Sequence, residues 1–475
     1  MSVIKLENNI FYADGGYALG DIMDEDFYRF SDTAADGFFS EMCMCNELFY
    51  TFIQQTLAME RFFKQKSAHT VSIDVKTCGY DMVCMALSAA EKAGVKAEYD
   101  PSAFALMSLK DRLKSVFYYW GGAGYLFLKA VCAKKTGDVG TDCDIFSLVR
   151  INQEYGKYEF LRQEGKVYFE YENILSTLSS NKQIRSTVYN KFTFVKKLGW
   201  LFKAMSGGAE FNREIKAFLS EKLNPYAAAA ARSFYAKRTV HTAFYGTMLD
   251  CYFSFFREKT CITGKIMDRY CFLEEKYAKK YGITLINYPH GIEFGFKLPR
   301  GFVGDRFYAT SEFAAEHFNR LYETDKFTFD NDLMTSMLGR NYADGGEKRV
   351  VFFSEAHEPE VNLEIINGLW EVLGKSGVKL VLKPHPKENT DFYASAADKI
   401  TIEKNFDRAI TGNICISRRS TVLVEALYNG SEAYALLTNV SDRSIYMNYP
   451  SLRDSRIKAF GSPAALAEHI INNGV

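Results

Sequence analysis

Residues 349–437 constrain the fold more than any other stretch, because short apolar runs alternate there with helical periodicity. Residues 349–354 (RVVFFS) form a strand candidate. Residues 360–375 carry apolar side chains at Val361, Ile365, Ile366, Leu369, Val372 and Leu373, the spacing of a helix face, and Gly377 supplies a stop. Residues 378–382 (VKLVL) predict the next strand. A strand, a helix and a strand on short links require a parallel pair with a right-handed crossover. Residues 413–416 (NICI) add a strand, 421–428 a helix stopped by Asn429-Gly430, and 433–437 a further strand. The reading is a Rossmann-like half from about residue 305 to the end.

Upstream, a helix is expected over 268–280, a strand over 284–288, a strand over 306–309 and a helix over 312–322. The Gly- and Pro-rich loop 291–304 separates these pairs and marks a domain boundary. Strand 69–75, helix 80–93 and strand 95–99 predict a second βαβ unit. Strands are also expected at 146–149 and 166–171, and 190–259 reads as helical and aromatic-rich. The chain of 475 residues is too long for one core. The expected division is 1–300, an N-terminal α/β domain with a helical insertion, and 301–475, a Rossmann-like domain.

The chemically suggestive residues fall where these strands end. In open α/β sheets, ligands bind outside the carboxyl ends of strands. Lys383-Pro384-His385-Pro386 follows strand 378–382, and the two prolines fix the backbone around one imidazole. His385 is either a phosphate ligand or a loop histidine held for turn geometry. Ser417-Arg418-Arg419-Ser420-Thr421 enters a helix whose N-terminus can bind an anion, or Ser420 and Thr421 simply cap it. Glu425, inside that helix, is a ribose-hydroxyl acceptor or an exposed helix carboxylate. Tyr288-Pro289-His290-Gly291 ends another strand and puts His290 at the boundary. Glu355, His357 and Glu358 follow strand 349–354 as acid/base candidates or helix-start acids.

Other patterns are absent. The sequence has no phosphate loop of the G-x-x-x-x-G-K-[ST] type, no G-x-G-x-x-G after a strand and no G-x-S-x-G elbow. The Asp-x-Asp pairs at 142–144 and 330–332 do not follow strands, so they read as loop acids and no metal site is assigned. The 10 cysteines include no C-x-x-C pair and read as reduced thiols of a cytoplasmic protein. Zero net charge offers no global field for nucleic acid. Residues 116–133 (VFYYWGGAGYLFLKAVCA) are apolar and have basic flanks. They read as a buried helix pair broken at Gly121-Gly122, with peripheral membrane contact or a span as alternatives.

The series "YGITLINYPHGI", "DRFYATSEFAAEHF", "MLGR", "VVFFSEAHEPE", "KLVLKPHP" and "ICISRRSTVLVEALYNG" resembles bacterial surface- and capsular-polysaccharide glycosyltransferases of GT-B architecture. That set includes sialyl- and polysialyltransferases, Kdo transferases and CDP-glycerol glycerophosphotransferases. The match covers roughly residues 265 to 440. The resemblance implies two Rossmann-like domains facing a cleft and an inverting transfer, and no metal or cofactor is expected because His385 and the helix starting near Ser420 would stabilise the departing phosphate. The donor would be a nucleotide sugar, CMP-activated and acidic by preference, and the acceptor a glycan or glycolipid. It gives His385, with Ser420 and Thr421, contact to the donor phosphate, and the chain departs from the family in having Arg418-Arg419 where smaller residues are usual. Lys383, Ser417 and Arg419 are further phosphate-binding candidates of this sequence itself. His290 matches the His-Gly element, and the acidic pair of sialyltransferases has no counterpart except Asp14-Gly15-Gly16, so the general base is unassigned. A polyol-phosphate transferase and a membrane-docked scaffold subunit are the alternative functions.

Overall fold

The computed structural model describes residues 2–13, 16–17, 52, 55–132, 142–149, 156–158, 160–161, 167–171, 193–264, 269–288, 293, 295, 297–298, 301–340, 342, 348–355, 359–386 and 388–473. Internal contacts divide the chain into two compact units. Unit 1 is Met1–His290 with Lys297–Phe307, and unit 2 is Gly291–Phe296 with Tyr308–Val475.

Among the described residues, the strands of unit 1 fall into two sheets. The first uses β1 (Ser2–Glu7), β2 (Ile10–Ala13), β3 (Gly16–Tyr17), β4 (Ala68–Ile73) and β5 (Lys96–Glu98) in the order β3-β2-β1-β4-β5. Helix α1 (Gln55–Gln65) precedes β4, and α2 (Tyr80–Ala93) links β4 to β5 as a parallel βαβ unit. Gly94, at φ 68°, ends α2 in the left-handed conformation that glycine takes without strain. β1 is not among the expected strands, although Ile4 and Leu6 are buried and Val3, Lys5 and Glu7 exposed, the alternation of a half-buried strand.

The rest of unit 1 is built from α3 (Pro101–Cys132), β6 (Ile145–Val149), β7 (Val167–Tyr171), α4 (Phe194–Lys222), α5 (Pro225–Ala236), α6 (Thr239–Phe253), β8 (Thr260–Thr263), α7 (Arg269–Tyr281), β9 (Thr284–Asn287) and β10 (Arg306–Tyr308). The strands lie in the order β10-β9-β8-β6-β7, paired in parallel. Asn224 starts α5 by accepting from the Ala227 N–H at 3.0 Å, Pro225 takes the first turn, and the following alanines pack inward. The core of this half is aromatic: Phe146 stacks on Phe256 at 4.2 Å between centroids and meets Tyr252 edge-on. One carboxylate is buried there. Glu274 accepts from Tyr245 Oη at 2.9 Å and from Thr263 Oγ1 at 2.7 Å.

The expected break at Gly121-Gly122 does not occur. Helix α3 runs unbroken for 32 residues, and its outward face keeps large apolar side chains exposed, among them Phe117 at 71% and Trp120 at 63%. Residues 116–133 are therefore not a buried helix pair. No helix among the described residues is long and apolar enough to cross a membrane.

Unit 2 begins with α8 (Glu312–Tyr322), β11 (Phe327–Thr328) and α9 (Asn331–Leu338). It continues with β12 (Val350–Phe353), α10 (Pro359–Leu373), β13 (Leu380–Lys383), β14 (Ile400–Ile402), α11 (Phe406–Ile410), β15 (Ile414–Ser417), α12 (Val422–Leu427), β16 (Glu432–Leu436), α13 (Val440–Asn448), β17 (Ile457–Phe460) and α14 (Pro463–Asn472). The sheet order is β14-β13-β12-β15-β16-β17, with every pairing parallel. The chain starts at the centre, winds outward to one edge, then returns to fill the other side, which is the doubly wound Rossmann order. Val350, Phe352, Leu382 and Ile416 are fully buried among Ile366 and Leu369 of α10 and Leu466 and Ile470 of α14. Each such side chain contributes roughly 1.5–3 kcal/mol by burial. α10 and α14 approach closely because Gly368 faces Pro463: a Cβ there would lie 2.9 Å from the proline ring. The fold class expected from the sequence, α/β with two Rossmann-like parts and an added helical region, is the one observed.

Candidate functional site

A doubly wound sheet has a crevice at its carboxyl edge where the winding reverses. In unit 2 the reversal lies between β12 and β15, whose pairing aligns Phe352 with Ile416, while β12 and β13 align Phe353 with Lys383. The ends of these three strands carry Ser354-Glu355, Lys383-Pro384-His385 and Ser417 to Thr421. Six of the residues singled out from sequence thus share one sheet edge: Glu355, Lys383, His385, Arg419, Ser420 and Thr421.

The His385 turn is braced from below. Its N–H points to Ser354 Oγ at 3.2 Å and Glu388 Oε2 at 3.1 Å, and Ser354 Oγ itself bonds to Glu388. Buried Asn362, on α10, donates to Glu388 Oε1 at 3.0 Å and to the Glu355 carbonyl at 2.8 Å, and accepts from the Glu355 N–H at 3.2 Å. Tyr393 donates its hydroxyl to Glu388, and burial, together with that carboxylate, pushes the phenol well above its ordinary range. Asn362 and Glu388 therefore hold the backbones of Glu355 and His385 in one network. Neither stands out in the sequence, because one lies inside a helix and the other past the His-Pro turn. Lys383 is half-buried beside the turn, and burial lowers its ammonium below the usual lysine range.

The Ser-Arg-Arg-Ser turn differs from expectation in three respects. The Ser417 hydroxyl faces inward: it is fully buried, and its Oγ donates to the Phe353 carbonyl at 3.2 Å, tying β15 to β12. Arg418 adds no charge to the edge, because its guanidinium is fully buried against equally buried Asp442, with Nη2–Oδ1 at 2.7 Å and Nε–Oδ2 at 3.0 Å. The helix that follows is short, and its first amides are occupied. Val422 N–H points to Ser420 Oγ at 3.3 Å, and Leu423 and Val424 bond to the Ser420 and Thr421 carbonyls. A long helix N-terminus offering open N–H groups is therefore not what stands at this edge. Arg419 remains partly exposed, sharing Asp442 at 3.1 Å.

Glu425 meets Arg340, Nη2–Oε2 at 3.3 Å, and Arg340 stacks on Phe406 with its guanidinium carbon 5.7 Å from the ring centroid. Arg340 is the basic residue of "MLGR", a signal present in the sequence but not assigned a role. Cys415 is no nucleophile, since burial pushes its thiol up to about 12. His290, His357 and Glu358 lie outside the described residues. Among the described residues, no cluster of three or more His, Cys, Asp or Glu side chains forms a metal site, and Asp330 is the N-cap of α9.

Unit 1 contains cavities of its own. One, of about 710 Å³, is lined by Lys114, Phe117, Tyr125, Lys237, Arg238 and His241, with Tyr270 donating to or accepting from His241 Nδ1 at 2.6 Å. Another, of about 430 Å³, lies past the carboxyl end of β4, between Lys76, Gly79, Tyr80, Lys110 and Asp111. Asp111 is the buried ion-pair partner of Lys237, and burial raises the carboxyl of nearby Asp81 against the opposing pull of Lys237 and Arg238.

No protein-family model and no curated protein matches the chain. Solved structures similar to it include the UDP-GlcNAc 2-epimerase of Methanocaldococcus jannaschii, at 12% identity and TM-score 0.40, covering 69% of this chain and 92% of that one. They also include the glycosyltransferase SnogD of Streptomyces nogalater, at 10% identity and TM-score 0.37, covering 70% and 99%. A calicheamicin glycosyltransferase, CalG4, matches at 10% identity and TM-score 0.32, covering 70% and 89%. At these scores the likeness assigns no activity to this chain.

Proposed function

We propose that the chain is a glycosyltransferase of GT-B type that takes a sugar from a nucleotide donor held at the carboxyl edge of the unit 2 sheet. The observation that carries this reading is the doubly wound strand order, with Lys383, His385, Arg419, Ser420 and Thr421 gathered beside its reversal point. A nucleotide diphosphate or monophosphate leaving group needs cations and donors as charge develops on it. Here that role falls to side chains, His385 above all with Lys383 and Arg419, rather than to a helix terminus. Glu355, held at the same edge by Asn362, is the acid/base candidate. The acceptor glycan or glycolipid belongs to the aromatic- and cation-lined cavities of unit 1. The preference for a CMP-activated acidic sugar follows from the His-Pro and Ser-Thr resemblance, and metal independence rests on His385, Lys383 and Arg419 answering the leaving-group charge.

The test is a thermal-shift panel of CMP, UMP, CDP, UDP and GDP, with and without magnesium. A nucleotide at a hundred times its dissociation constant adds about 2.7 kcal/mol. The reading expects a magnesium-independent shift with CMP, lost in His385→Ala and weakened in Lys383→Met. Lys383→Met should not lower the unliganded Tm, because burial already penalises the lysine charge. A CDP preference would point to polyol-phosphate transfer and a UDP or GDP preference to hexosyl transfer. No shift with any nucleotide would sink the reading and favour a scaffold subunit.

A further inference from the structure

Helix α3 is apolar on the side that faces water. Leu106, Leu109, Leu113, Val116, Phe117, Trp120 and Leu128 are all exposed, and their spacing of three and four residues puts them in one stripe. The opposite side of the helix carries the packing, through buried Asp111, Ala123, Leu126 and Ala130 and through Tyr119, which donates to the Met205 carbonyl of α4 at 2.9 Å. The stripe continues onto α4, where Phe194 meets Phe127 of α3 at 5.8 Å between centroids and Val195 is 75% exposed. A water-facing stripe of this length is unusual for a solvated surface and marks an interaction site.

The charges around it identify the occupant. Counting 100° per residue, Lys110 and Lys114 flank one edge of the α3 stripe and Arg112 the other, all three exposed. The only acid in α3, Asp111, is buried and paired with Lys237. Exposed basic Lys196 lies on α4 beside Val195, and exposed Lys203, whose ammonium is 3.7 Å from Asp250, lies beside Phe202. Apolar and aromatic side chains centred between cationic edges match the boundary of a bilayer with anionic headgroups. Trp120, Tyr118 and Tyr125 are the amphipathic rings that settle at headgroup depth. A second copy fits poorly, because a two-fold contact sets like edges together and α3 has no exposed acid to answer the lysines. We propose that unit 1 docks on an anionic phospholipid leaflet with α3 lying in the interface plane and the start of α4 beside it. Lys114, Phe117 and Tyr125 also line the cavity of about 710 Å³, so the docked face adjoins the acceptor site of the proposed function, and none of the donor-edge residues of unit 2 takes part in it.

Vesicle flotation of the full chain tests it, comparing phosphatidylglycerol–phosphatidylcholine vesicles with pure phosphatidylcholine. The wild type should float with the anionic vesicles, less as salt rises, with a blue shift of tryptophan emission. Phe117→Glu with Trp120→Glu should abolish flotation, and Val195→Glu should weaken it from the other helix. Removing Lys110, Arg112 and Lys114 together should lower partitioning about a hundredfold, at about fivefold for each cation. All these side chains are exposed, so the Tm should hold, which separates docking from folding. Failure of the wild type to float, or flotation that the variants leave intact, overturns the proposal. So does a concentration-dependent dimer without lipid that Phe117→Glu with Trp120→Glu dissolves, since a second copy would then cover the stripe.

Discussion

Arg418 and Arg419 are adjacent in the chain and serve different ends. Arg418 spends its fork on Asp442 inside the protein, while Arg419 reaches the same carboxylate from a partly exposed position. Asp442 also accepts from Thr438 Oγ1 at 3.2 Å, so α13 is fastened to the end of β15 through one buried carboxylate. Removing one partner of a buried pair leaves the other charge unanswered and costs about 3–5 kcal/mol. Arg418→Met should fall at the lower end of that range, because Arg419 still touches Asp442. The double variant Arg418→Met with Asp442→Leu should recover most of the loss. Urea denaturation measures both, and a single-variant loss under about 1 kcal/mol would show that Arg418 is not the anchor. The sequence "SRRST" does not reveal which arginine turns inward. Residues 414–417 are all buried, as in a parallel strand covered on both faces, so no alternation exists from which to read a side-chain direction. The same lack of alternation hid the inward turn of Ser417.

Among elements, Glu293 and Gly295, in the loop read from sequence as a domain boundary, are fastened within unit 2. Gly295 N–H donates to the Asn448 carbonyl at 2.7 Å, and Ser451 Oγ donates to buried Glu293 at 3.1 Å. A Cβ at position 295 would lie 2.8 Å from the Asn448 carbonyl oxygen, so glycine is required by close approach. His317, on α8, completes the clasp at 2.8 Å from the Gly295 carbonyl. Since a carbonyl only accepts, Nε2 carries the proton. Burial lowers the His317 pKa from 6.5, with Arg320 and Arg453 adding to the effect and the Gly295 carbonyl opposing it. The unfolded chain therefore takes up a proton that the folded chain resists. The stability contribution is complete above pH 6.5 and is lost as pH falls from there toward the depressed folded value. Tm measured from pH 8 to 5 should drop below about pH 6.5, and His317→Gln should flatten that part of the curve. An unchanged slope would mean that His317 does not govern it. Glycines and prolines mark a loop reliably in sequence, but a glycine needed for contact looks the same as one needed for freedom. By contrast, α2 and α8 occur at the expected limits because Gly94 and Ser311 state their ends locally. The three glycines of α3 misled in the opposite direction. Each costs a helix about 1 kcal/mol, and the packing of α3 against its neighbours outweighs that.

At the scale of the molecule, the decisive feature is the winding of the unit 2 sheet, of which two crossovers, β12-α10-β13 and β15-α12-β16, are legible in the sequence because period and stop signals mark them. The outer strands β14 and β17 are not, being short and half-exposed, with little apolar pattern. If the reversal point binds a nucleotide, its effect on backbone opening must be asymmetric along the strands. Amides at the carboxyl ends, Ser354 and Glu355, His385, and Arg419 to Glu425, should exchange hydrogen more slowly when ligand is bound. Those exchanging through openings that release the ligand should slow by about a hundredfold at a hundred times the dissociation constant, in proportion to ligand concentration. The amino ends of the same strands, near Val350, Leu380 and Ile414, open only with the sheet and should show the smaller, global effect. α14, which covers the sheet away from that edge, should behave as they do. Hydrogen-exchange mass spectrometry with the nucleotide that gives the largest thermal shift resolves these peptides. Protection concentrated at the amino ends, or spread evenly along β12, β13 and β15, would mean that the nucleotide binds elsewhere on the chain, and His385 would lose its assigned role.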